Sequence, residues 1–264
     1  DKIKKSNTKK TFEHQFEYLK ERFPNFRDVI DYYSGAMYIF EKTGTPPSPV
    51  LLLGPPGLGK THFAGELAKV VGSLCTVIPV STLSAGWIIS GAASQWKDAQ
   101  MGKIAQSLFN GLSMSPVIVL DEIDKKSEGN YDPLGALYPL LEPHTAKEFV
   151  DEYLEIPIDA SNIIWIATAN NLNTIPEPIL DRFIIFDVAK LNPEETIKVT
   201  KNIFNELTNG LGHPNLSEEI LDILKEKTPR QIKQILKKAL AYAAVKRSQT
   251  IDLKKEHLDL STKI

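Results

Sequence analysis

The sequence predicts an α/β domain built on a parallel sheet, followed by a smaller helical domain. Up to about residue 190, short continuous apolar runs alternate with helical stretches, a pattern typical of parallel strands that are buried on both faces. The runs are Val50–Leu53, Thr76–Val80, Val117–Leu120, Ile163–Ala169 and Phe183–Val188. Beyond them the apolar spacing is helical almost to the end of the chain. We therefore expect a doubly wound α/β domain with a helical domain behind it.

The segment before the first strand divides into two parts. The lysine-rich start, DKIKKSNTKK, has little apolar content, and we expect a solvated tail there. From Phe12 to Phe40 aromatic and aliphatic residues recur at helical spacing, and TGTPPSP then ends the pattern. We place the domain boundaries at residues 1–24 for an N-terminal tail and helix, 25–190 for the α/β domain and 191–264 for the helical domain.

The helical domain has clear start signals. Asn192 and Pro193 are typical of a cap and a first helical residue, and Ser217 is in the capping position of the next helix. Apolar residues then recur on one face of each of two helices, which indicates packing within the domain. These residues are Ile220, Leu221 and Leu224, followed by Ile232, Ile235, Leu236, Ala239 and Ala243.

The composition is that of an ordinary water-soluble protein, with 264 residues and a formal net charge of −2. The chain has neither an apolar run long enough to span a bilayer nor a signal-peptide pattern, so we expect a cytoplasmic location and no membrane. The near-neutral charge gives no support to a broad nucleic-acid surface. Cys75 is the single cysteine, which excludes an intrachain disulfide and a cysteine zinc cluster. The first residue is Asp1, so we expect a piece of a longer chain.

The segment GPPGLGKT follows the first apolar run and opens a helix. Its glycine spacing and its Lys60–Thr61 pair form the P-loop pattern in the strand–loop–helix setting that this pattern requires. Glycines let backbone N–H groups turn toward a phosphate, Lys60 would reach the β- and γ-phosphates, and the Thr61 hydroxyl would ligate Mg²⁺. The alternative is a glycine turn with a solvated lysine. The residues expected to bind the nucleotide are Gly54, Pro55, Pro56, Gly57, Leu58, Gly59, Lys60, Thr61 and His62.

The segment PVIVLDEIDKK supplies an acidic pair at the end of a buried strand. Asp121 is placed to hold the Mg²⁺ that Thr61 ligates, and Glu122 could polarise the water that attacks the γ-phosphate. Alone, such a pair is often a turn or a cap; together with a P-loop it indicates hydrolysis. No N-K-x-D segment of the kind that reads guanine is present, so the expected ligands are ATP and Mg²⁺.

In combination, these motifs resemble those of AAA+ ATPases and, within them, the ATPase module of Lon-type proteases. The resemblance extends over about residues 25–247 and is carried, in the family's order, by GPPGLGKT, VLDEIDK, YDPLGALYPLLEP, DEYLEI, WIATANNLNTIPEPILDRF and KTPRQIKQILKKAL. The first two segments are shared by many AAA+ proteins, and the later ones point more narrowly to Lon. The resemblance implies a P-loop AAA+ parallel sheet sandwiched by helices and followed by a small all-helical lid domain.

The resemblance also implies roles for three residues outside the P-loop and the acidic pair. Asn170 matches the sensor-1 asparagine that orients the attacking water, although it could be only a cap or turn. Arg182 matches the arginine finger that reaches a neighbouring subunit's phosphate, the alternative being an ion pair with Asp181 or Asp187. Arg230 matches the sensor-2 arginine, the alternative being an exposed residue in a helix's first turn.

These roles imply a ring. ATP would lie between the two domains of one subunit and beside Arg182 of the next, in a homo-oligomer that the resemblance makes hexameric. Hydrolysis would shift the helical domain and move the loops that line a central pore.

Two features depart from the family. The serine–lysine protease domain would follow residue 264, so we expect no peptidase in this chain, and FPNFRDVIDYYSGAMYIFEK lacks the usual HYGL segment. Its aromatics either contact adenine or pack between helices.

The segment ISGAASQWKDAQMGK aligns without a gap with a Lon segment of the type IRGHRRTYIGSMPGK. The resemblance thus implies that Trp96 and Lys97 form a substrate pore loop, with Trp96 in place of the aromatic residue that grips a polypeptide. Lys97 departs from the family, which has an aliphatic residue there. Trp96 could instead cover a helix–sheet seam, and Trp87 is a rival candidate for the grip, although its setting is typical of packing.

The function that these residues predict is a ring-forming ATPase that unfolds or threads protein substrates. One alternative is a nucleotide-dependent switch or scaffold, and another is a motor that remodels DNA. The combination of Glu122, Asn170, Arg182 and Arg230 favours active hydrolysis over a scaffold. No clear basic stripe is present, so we do not expect nucleic acid as a partner.

Overall fold

The computed structural model describes residues 2–83, 85–97, 99–110, 115–125, 134–210 and 216–244, with side chains from residue 12 onward. Tyr131–Pro133, which belong to one of the segments similar to Lon, and the stretch beyond residue 244 lie outside the described residues. Within the described part of the chain, none of the helices is both long enough and apolar enough to cross a membrane.

Five parallel strands form the central sheet, in the order β2-β3-β6-β1-β7, and β4 pairs with β5 in a short antiparallel ladder. The strands are β1 Val50–Leu53, β2 Cys75–Pro79, β3 Val117–Asp121, β4 Phe149–Val150, β5 Pro157–Ile158, β6 Ile164–Ala169 and β7 Ile184–Asp187. Each of the five apolar runs in the sequence forms one strand of the central sheet, to within a residue or two at the ends. The prediction of a parallel α/β fold is therefore confirmed.

Helices connect these strands and make up most of the C-terminal part. They are α1 Lys2–Arg22, α2 Arg27–Thr43, α3 Lys60–Val70, α4 Trp87–Ser90, α5 Lys103–Asn110, α6 Leu137–Leu140, α7 Pro143–Ala146, α8 Glu177–Leu180, α9 Pro193–Leu207, α10 Glu218–Leu224 and α11 Pro229–Ala244. The N-terminal start, for which a solvated tail was expected, has a helical backbone from Lys2 onward. A short 3-10 turn at Pro24–Phe26 separates α1 from α2. Phe23 precedes the proline, and helical dihedral angles are unfavourable for a residue in that position.

The interior of the sheet explains why its strands were visible in the sequence. Every residue of β6 is buried, as are Val117–Leu120 of β3 and Val50–Leu52 of β1, so these strands contact apolar neighbours on both faces. The edge strands β2 and β7 are more exposed. Since β6 lies between β3 and β1, the carboxyl ends of these three strands are adjacent, and the polar residues that follow them share one edge of the sheet.

The chain divides into two compact units. The first contains the sheet and consists of the residues up to Glu17, Asp28–Gly54 and Lys60–Val188. The second contains the residues from Ala189 onward, together with Tyr18–Arg27 and Pro55–Gly59. Most of the P-loop segment therefore belongs to the helical unit, whereas its first glycine and its lysine belong to the sheet unit.

The helical unit has its own apolar core. Asn192 caps α9 in a reciprocal capping box with Glu195, as the sequence predicted. Ser217 precedes α10 at the capping position, but its side chain forms no capping hydrogen bond. The predicted apolar faces of α10 and α11 meet Phe204 of α9 in one cluster, to which Ile220, Leu224, Ile232, Leu236, Ala239 and Leu240 also belong.

Candidate active site

The loop between β1 and α3 has a backbone that only glycine adopts readily. Gly57 and Gly59 have φ values of 85° and 91°, which lie in the left-handed region. Gly54 packs so closely against the chain that a Cβ atom there would lie 2.4 Å from the carbonyl oxygen of Val188. Leu58 is buried beneath the loop, and Pro55, Pro56 and His62 are exposed. The backbone of this loop therefore requires glycine at its three glycine positions, as expected for a loop that wraps around a ligand.

Lys60 is the first residue of α3 and is buried. Its Nζ donates hydrogen bonds to the Gly54 carbonyl oxygen and, at 3.1 Å, to Oδ1 of Asn170. Burial lowers the pKa of Lys60 from its ordinary value, and the nearby carboxylates of Asp124, Asp121 and Glu122 oppose that shift. These carboxylates favour the charged ammonium form of Lys60, which is the form that binds a phosphate.

Thr61 and Asp121, the two residues predicted to hold Mg²⁺, are in direct contact. The Thr61 hydroxyl donates to Oδ1 of Asp121 at 2.6 Å. A hydroxyl and a carboxylate are hard oxygen ligands, and Mg²⁺ in such sites typically takes one or two protein oxygens together with phosphate oxygens and water. The described residues contain no cluster of three or more acidic, histidine or cysteine side chains that would form an all-protein cage. The pair therefore fits Mg²⁺ bound together with a phosphate.

Glu122 follows Asp121 in an unusual conformation. Its φ is 54°, a left-handed value that is uncommon for a residue with a side chain. Its backbone N–H donates to the hydroxyl of Thr168 at 2.9 Å, and its carboxylate pairs with Nζ of Lys125 at 2.8 Å. Because of this left-handed backbone, the chain leaves the direction of β3 at Glu122, whereas Asp121 is still part of the strand.

Asn170 directly follows β6 and meets both Lys60 and the segment after β3. Its Oδ1 accepts from Lys60, and its backbone N–H donates to Oδ2 of Asp124 at 3.2 Å. Asp124 also accepts from the Asn171 amide at 3.4 Å, and its backbone oxygen accepts from the hydroxyl of Thr174. The side chain of Asp124 is buried, and its Oδ1 has no hydrogen-bond partner among the described residues.

Arg182 makes its contacts with other residues of the sheet unit. Its Nε lies 3.1 Å from Oε1 of Glu142, an ion-pair distance without hydrogen-bond alignment, and its Nη1 donates to the carbonyl oxygen of Pro178. The guanidinium carbon lies 5.6 Å from the centre of the Tyr138 ring. An ion pair was the alternative to the arginine finger, but the partner is Glu142 rather than Asp181 or Asp187.

Arg230 lies at the start of α11 in the helical unit and is exposed. Its backbone N–H donates to the carbonyl oxygen of Gly57 at 3.3 Å. A Cβ atom on Gly57 would contact Thr228 and the Cβ of Arg230, at 3.3 Å and 3.5 Å. The start of this helix therefore touches the P-loop segment directly.

The predicted pore-loop residues lie at the surface. The Trp96 side chain is 69% exposed, and Lys97 is exposed beside it. Among the residues that the structure describes, Trp96 therefore does not cover a helix–sheet seam. Trp87 in α4 is 44% exposed and is less buried than its apolar setting suggested.

A buried carboxylate fixes the base of the Trp96 loop. Asp151, between β4 and β5, is fully buried and accepts from the backbone N–H groups of Gly102, Tyr153 and Leu154. Gly91 and Gly102 allow the close approach, since a Cβ on Gly91 would lie 2.5 Å from the Asp151 carboxylate and one on Gly102 would lie 2.2 Å from the carbonyl oxygen of Ile89. The segment DEYLEI thus holds the loop that carries Trp96.

Lys60, Asn170 and Asp124 form one hydrogen-bonded group, and Thr61, Asp121 and Glu122 form a second through Thr168. The two groups adjoin because Lys60 and Thr61 are consecutive residues, and together they make up the network at this edge of the sheet. Arg182 and Arg230 bond to other residues. Thr168 and Asp124 are part of this network and were not predicted from the sequence. A threonine inside an apolar strand is ordinary for β structure, so the only available signal was its position two residues before Asn170.

More than half of the chain matches a known protein family. Residues 50–189 match the family model described as the ATPase family associated with various cellular activities (AAA). The match begins with the first residue of β1 and ends just after β7, so it includes all five strands of the central sheet.

Individual relatives and one solved structure show the same similarity. The chain is 37% identical to a Lon protease of Chlamydia pneumoniae over 60% of its length, and 31% identical to a mitochondrial Lon protease homolog of Aspergillus niger over 89%. It spans only 19% and 22% of the lengths of these relatives. A cryo-electron microscopy structure described as closed-state Hsp104 with ATPγS and casein has a similar fold, with a TM-score of 0.77 at 19% identity over 92% of this chain and 50% of that one.

Proposed function

The chain belongs to the AAA family of ATPases, and on that premise we propose that it binds ATP with Mg²⁺ and hydrolyses it to unfold or thread protein substrates. The observation that carries the proposal is the network at the carboxyl ends of β1, β3 and β6. Lys60 bonds Asn170 there at 3.1 Å, and Asp121 accepts from Thr61 at 2.6 Å and from Thr168 at 2.7 Å. These two groups adjoin because Lys60 and Thr61 are consecutive residues.

Each member of the network has a chemical task. Lys60 neutralises the β- and γ-phosphates, and the N–H groups of the glycine loop bind their oxygens. When bound by Thr61 and Asp121, Mg²⁺ supplies charge neutralisation at the β- and γ-phosphate oxygens. Asn170, which already bonds Lys60, is placed to orient a water molecule toward the same phosphate.

Glu122 is the general base of the proposal. Its carboxylate takes a proton from the water as the water oxygen attacks the γ-phosphorus, and the bond between that phosphorus and the β-phosphate oxygen breaks to give ADP and phosphate. In the structure this carboxylate pairs with Lys125, and both side chains are partly exposed. An exposed ion pair contributes about 0–1 kcal/mol, so exchanging Lys125 for a water molecule has a small energetic cost.

Arg182 completes the proposal between subunits. We assign it to the phosphate of a neighbouring copy in a homo-oligomeric ring, hexameric by the resemblance, because a guanidinium stabilises the charge of phosphoryl transfer. Arg230 is assigned to sensing the nucleotide, supported by the hydrogen bond between its N–H and the Gly57 oxygen. Trp96 and Lys97 are assigned to the substrate, supported by the exposure of the Trp96 ring.

Protein is the proposed substrate because the two relatives reported above are named Lon protease and Lon protease homolog, and their similarity includes the ATPase region. The chain spans about a fifth of their length, so the activity of the whole relative is not transferred to it. The fold likeness to Hsp104 supports the architecture alone, since the identity is 19%. A cytoplasmic location remains a prediction.

The test is ATP turnover measured without and with an unfolded protein, and separately with double-stranded DNA, alongside the oligomeric mass. We expect turnover, stimulation by the unfolded protein and a mass of several subunits. The matched control is Glu122→Gln, which should bind ATP and hydrolyse it at least about 100-fold more slowly. Stimulation by DNA alone would contradict the protein substrate, and undiminished turnover in Glu122→Gln would contradict the proposed base.

A further inference from the structure

One buried hydroxyl connects both acidic residues of the proposed site. Thr168 in β6 is 2% exposed, and its Oγ1 donates to Oδ1 of Asp121 at 2.7 Å. The same oxygen accepts the backbone N–H of Glu122 at 2.9 Å. The Thr168 carbonyl oxygen accepts the N–H of the following residue, Ile123, at 2.9 Å. Thr168 thus makes three hydrogen bonds to three consecutive residues at the end of β3.

The register of the sheet places Thr168 at this point. Leu120 of β3 pairs with Ala167 of β6, so Thr168 lies opposite Asp121, at the point where β3 leaves the sheet. On its other side Thr168 pairs with Leu52 of β1. Leu52 of β1 and Leu120 of β3 are buried, and a valine of nearly the same shape would fill the space of Thr168. The hydroxyl group is therefore required by its hydrogen bonds rather than by packing.

These bonds hold Glu122 in a conformation that it would otherwise leave. A left-handed φ of 54° is energetically unfavourable for a residue that has a side chain. The Oγ1 of Thr168 accepts the N–H of Glu122 and so stabilises that conformation. Without this acceptor, the peptide before Glu122 can rotate, and the carboxylate would move with it. A change of about 1 Å in the position of a catalytic group is enough to lower a rate by about 100-fold.

The hydroxyl also orients Asp121. Oδ1 of Asp121 accepts from Thr61 and from Thr168, which approach from α3 and β6. If Thr61 turns toward a bound ligand, Thr168 remains as the donor that fixes the carboxylate. Partners of this kind, one bond removed from a ligand-binding carboxylate, typically change affinity or activity by about 10- to 100-fold when they are removed.

We propose that Thr168 is a positioning residue for hydrolysis, which through one hydroxyl sets the orientation of Asp121 and the backbone of Glu122. This inference rests on the proposed function and assigns a role to a residue outside the motifs that predicted it. Thr168 acts through Asp121 and Glu122 and need not touch the nucleotide.

The experiment compares Thr168→Val with Thr168→Ser in the full chain. We expect Thr168→Val to lower kcat for ATP by about 10- to 100-fold, while the affinity for a fluorescent ATP analogue in EDTA changes by less than about threefold. Thr168→Ser restores the hydroxyl and should keep kcat within about threefold of the original. The matched control is Thr200→Val, because Thr200 is equally buried and its hydroxyl has no partner among the described residues. This variant should leave kcat unchanged.

Three outcomes would overturn the inference. Unchanged kcat in Thr168→Val, in a chain whose Glu122→Gln variant is inactive, would refute the inference and leave the proposed function standing. An equal loss in Thr168→Ser and Thr168→Val would show that shape, not the hydroxyl, matters. Absence of ATP turnover in the unsubstituted chain would refute the proposed function and this inference with it.

Discussion

The guanidinium of Arg182 is held within its own chain, where its Nε lies 3.1 Å from Oε1 of Glu142. The Tyr138 ring lies under the same guanidinium, and the Pro178 carbonyl oxygen accepts from Nη1. A residue assigned to a neighbouring subunit therefore has three partners of its own. Reaching a phosphate across an interface requires these contacts to be exchanged, and this requirement determines the first two predictions.

Arg182 should act on the neighbouring subunit. Arg182→Ala should lower turnover by about 1,000-fold or more, because the missing guanidinium stabilises the transition state. Lys60→Ala should be inactive for a different reason, the loss of phosphate binding. Mixing the two inactive variants should restore part of the turnover, measured in rings verified to contain both. No recovery in such rings would show that Arg182 does not act across an interface.

Glu142→Gln should release the guanidinium for that role. An exposed ion pair contributes about 0–1 kcal/mol, so we expect turnover to rise by no more than about fivefold, most visibly at low protein concentration. Glu148→Gln, a nearby exposed glutamate, is the matched control and should have no effect. If Glu142→Gln lost activity as severely as Arg182→Ala, Glu142 would be needed to place the arginine rather than compete for it.

Asp124 should matter for both stability and turnover. Asp124→Ala leaves the part-buried N–H of Asn170 without this acceptor, which should lower the free energy of unfolding by about 1 kcal/mol and reduce turnover through Asn170. Asp124→Asn keeps an acceptor oxygen and should be milder. Denaturant unfolding and ATP turnover measure the two effects. Asp222→Ala removes an exposed partner of Lys225 and should change neither; a similar loss there would contradict the local explanation.

Trp96 should affect substrate handling without affecting the fold. Because its side chain is exposed, Trp96→Ala should leave the free energy of unfolding within about 0.5 kcal/mol and leave basal ATP turnover intact. Unfolding of a protein substrate should slow by about fivefold or more, as expected for loss of an aromatic contact. Trp96→Phe should retain most of the rate. If Trp87→Ala slowed substrate unfolding and Trp96→Ala did not, the grip would belong to α4.

Tyr33 should make the fold sensitive to alkali. Burial, with a smaller contribution from Tyr32, raises the pKa of Tyr33 well above the ordinary value of 10.0. Above that value the unfolded chain loses the phenolic proton while the folded chain keeps it, so the free energy of unfolding falls by up to about 1.4 kcal/mol per pH unit. Below it this group contributes no pH dependence.

The test of that sign is urea unfolding as a function of pH. Tyr33→Phe should lose this part of the alkaline decline, whereas Tyr38→Phe, on the same helix but exposed, should retain it. An identical decline in all three proteins would refute the assignment. Among the described residues, the Tyr33 hydroxyl donates one long hydrogen bond of 3.5 Å to the Trp165 carbonyl oxygen, so its removal is expected to be mild.

The fold was predictable because parallel strands buried on both faces leave continuous apolar runs in a sequence. The P-loop and Asp121 were predictable because their spacing is local and their chemistry specific. Thr168 and Asp124 could not be predicted in the same way, since their partners lie 46 or 47 residues away and depend on the pairing of β3 with β6. The same holds for Glu142, whose contact with Arg182 depends on tertiary structure rather than spacing.

The N-terminal segment shows the opposite limitation. Its lysines suggested a solvated tail, yet lysine is a good helix former and the backbone is helical from Lys2. Charge in the sequence indicated contact with water, but it did not determine the backbone conformation.

The loop that carries Trp96 is closed at its base, where the Ala92 N–H donates a hydrogen bond to the backbone carbonyl oxygen of Gln100. The Asp151 carboxylate accepts the backbone N–H of Gly102 at the same base. Its closure relies on main-chain groups, on the Asp151 carboxylate and on two glycines, Gly91 and Gly102, and the exposed Trp96 side chain takes no part in these bonds. The side chain at the tip of the loop can therefore be replaced while the closure of the loop is kept. If the proposed grip is correct, substitutions at the tip change which polypeptide is held and leave the proposed phosphate site unchanged.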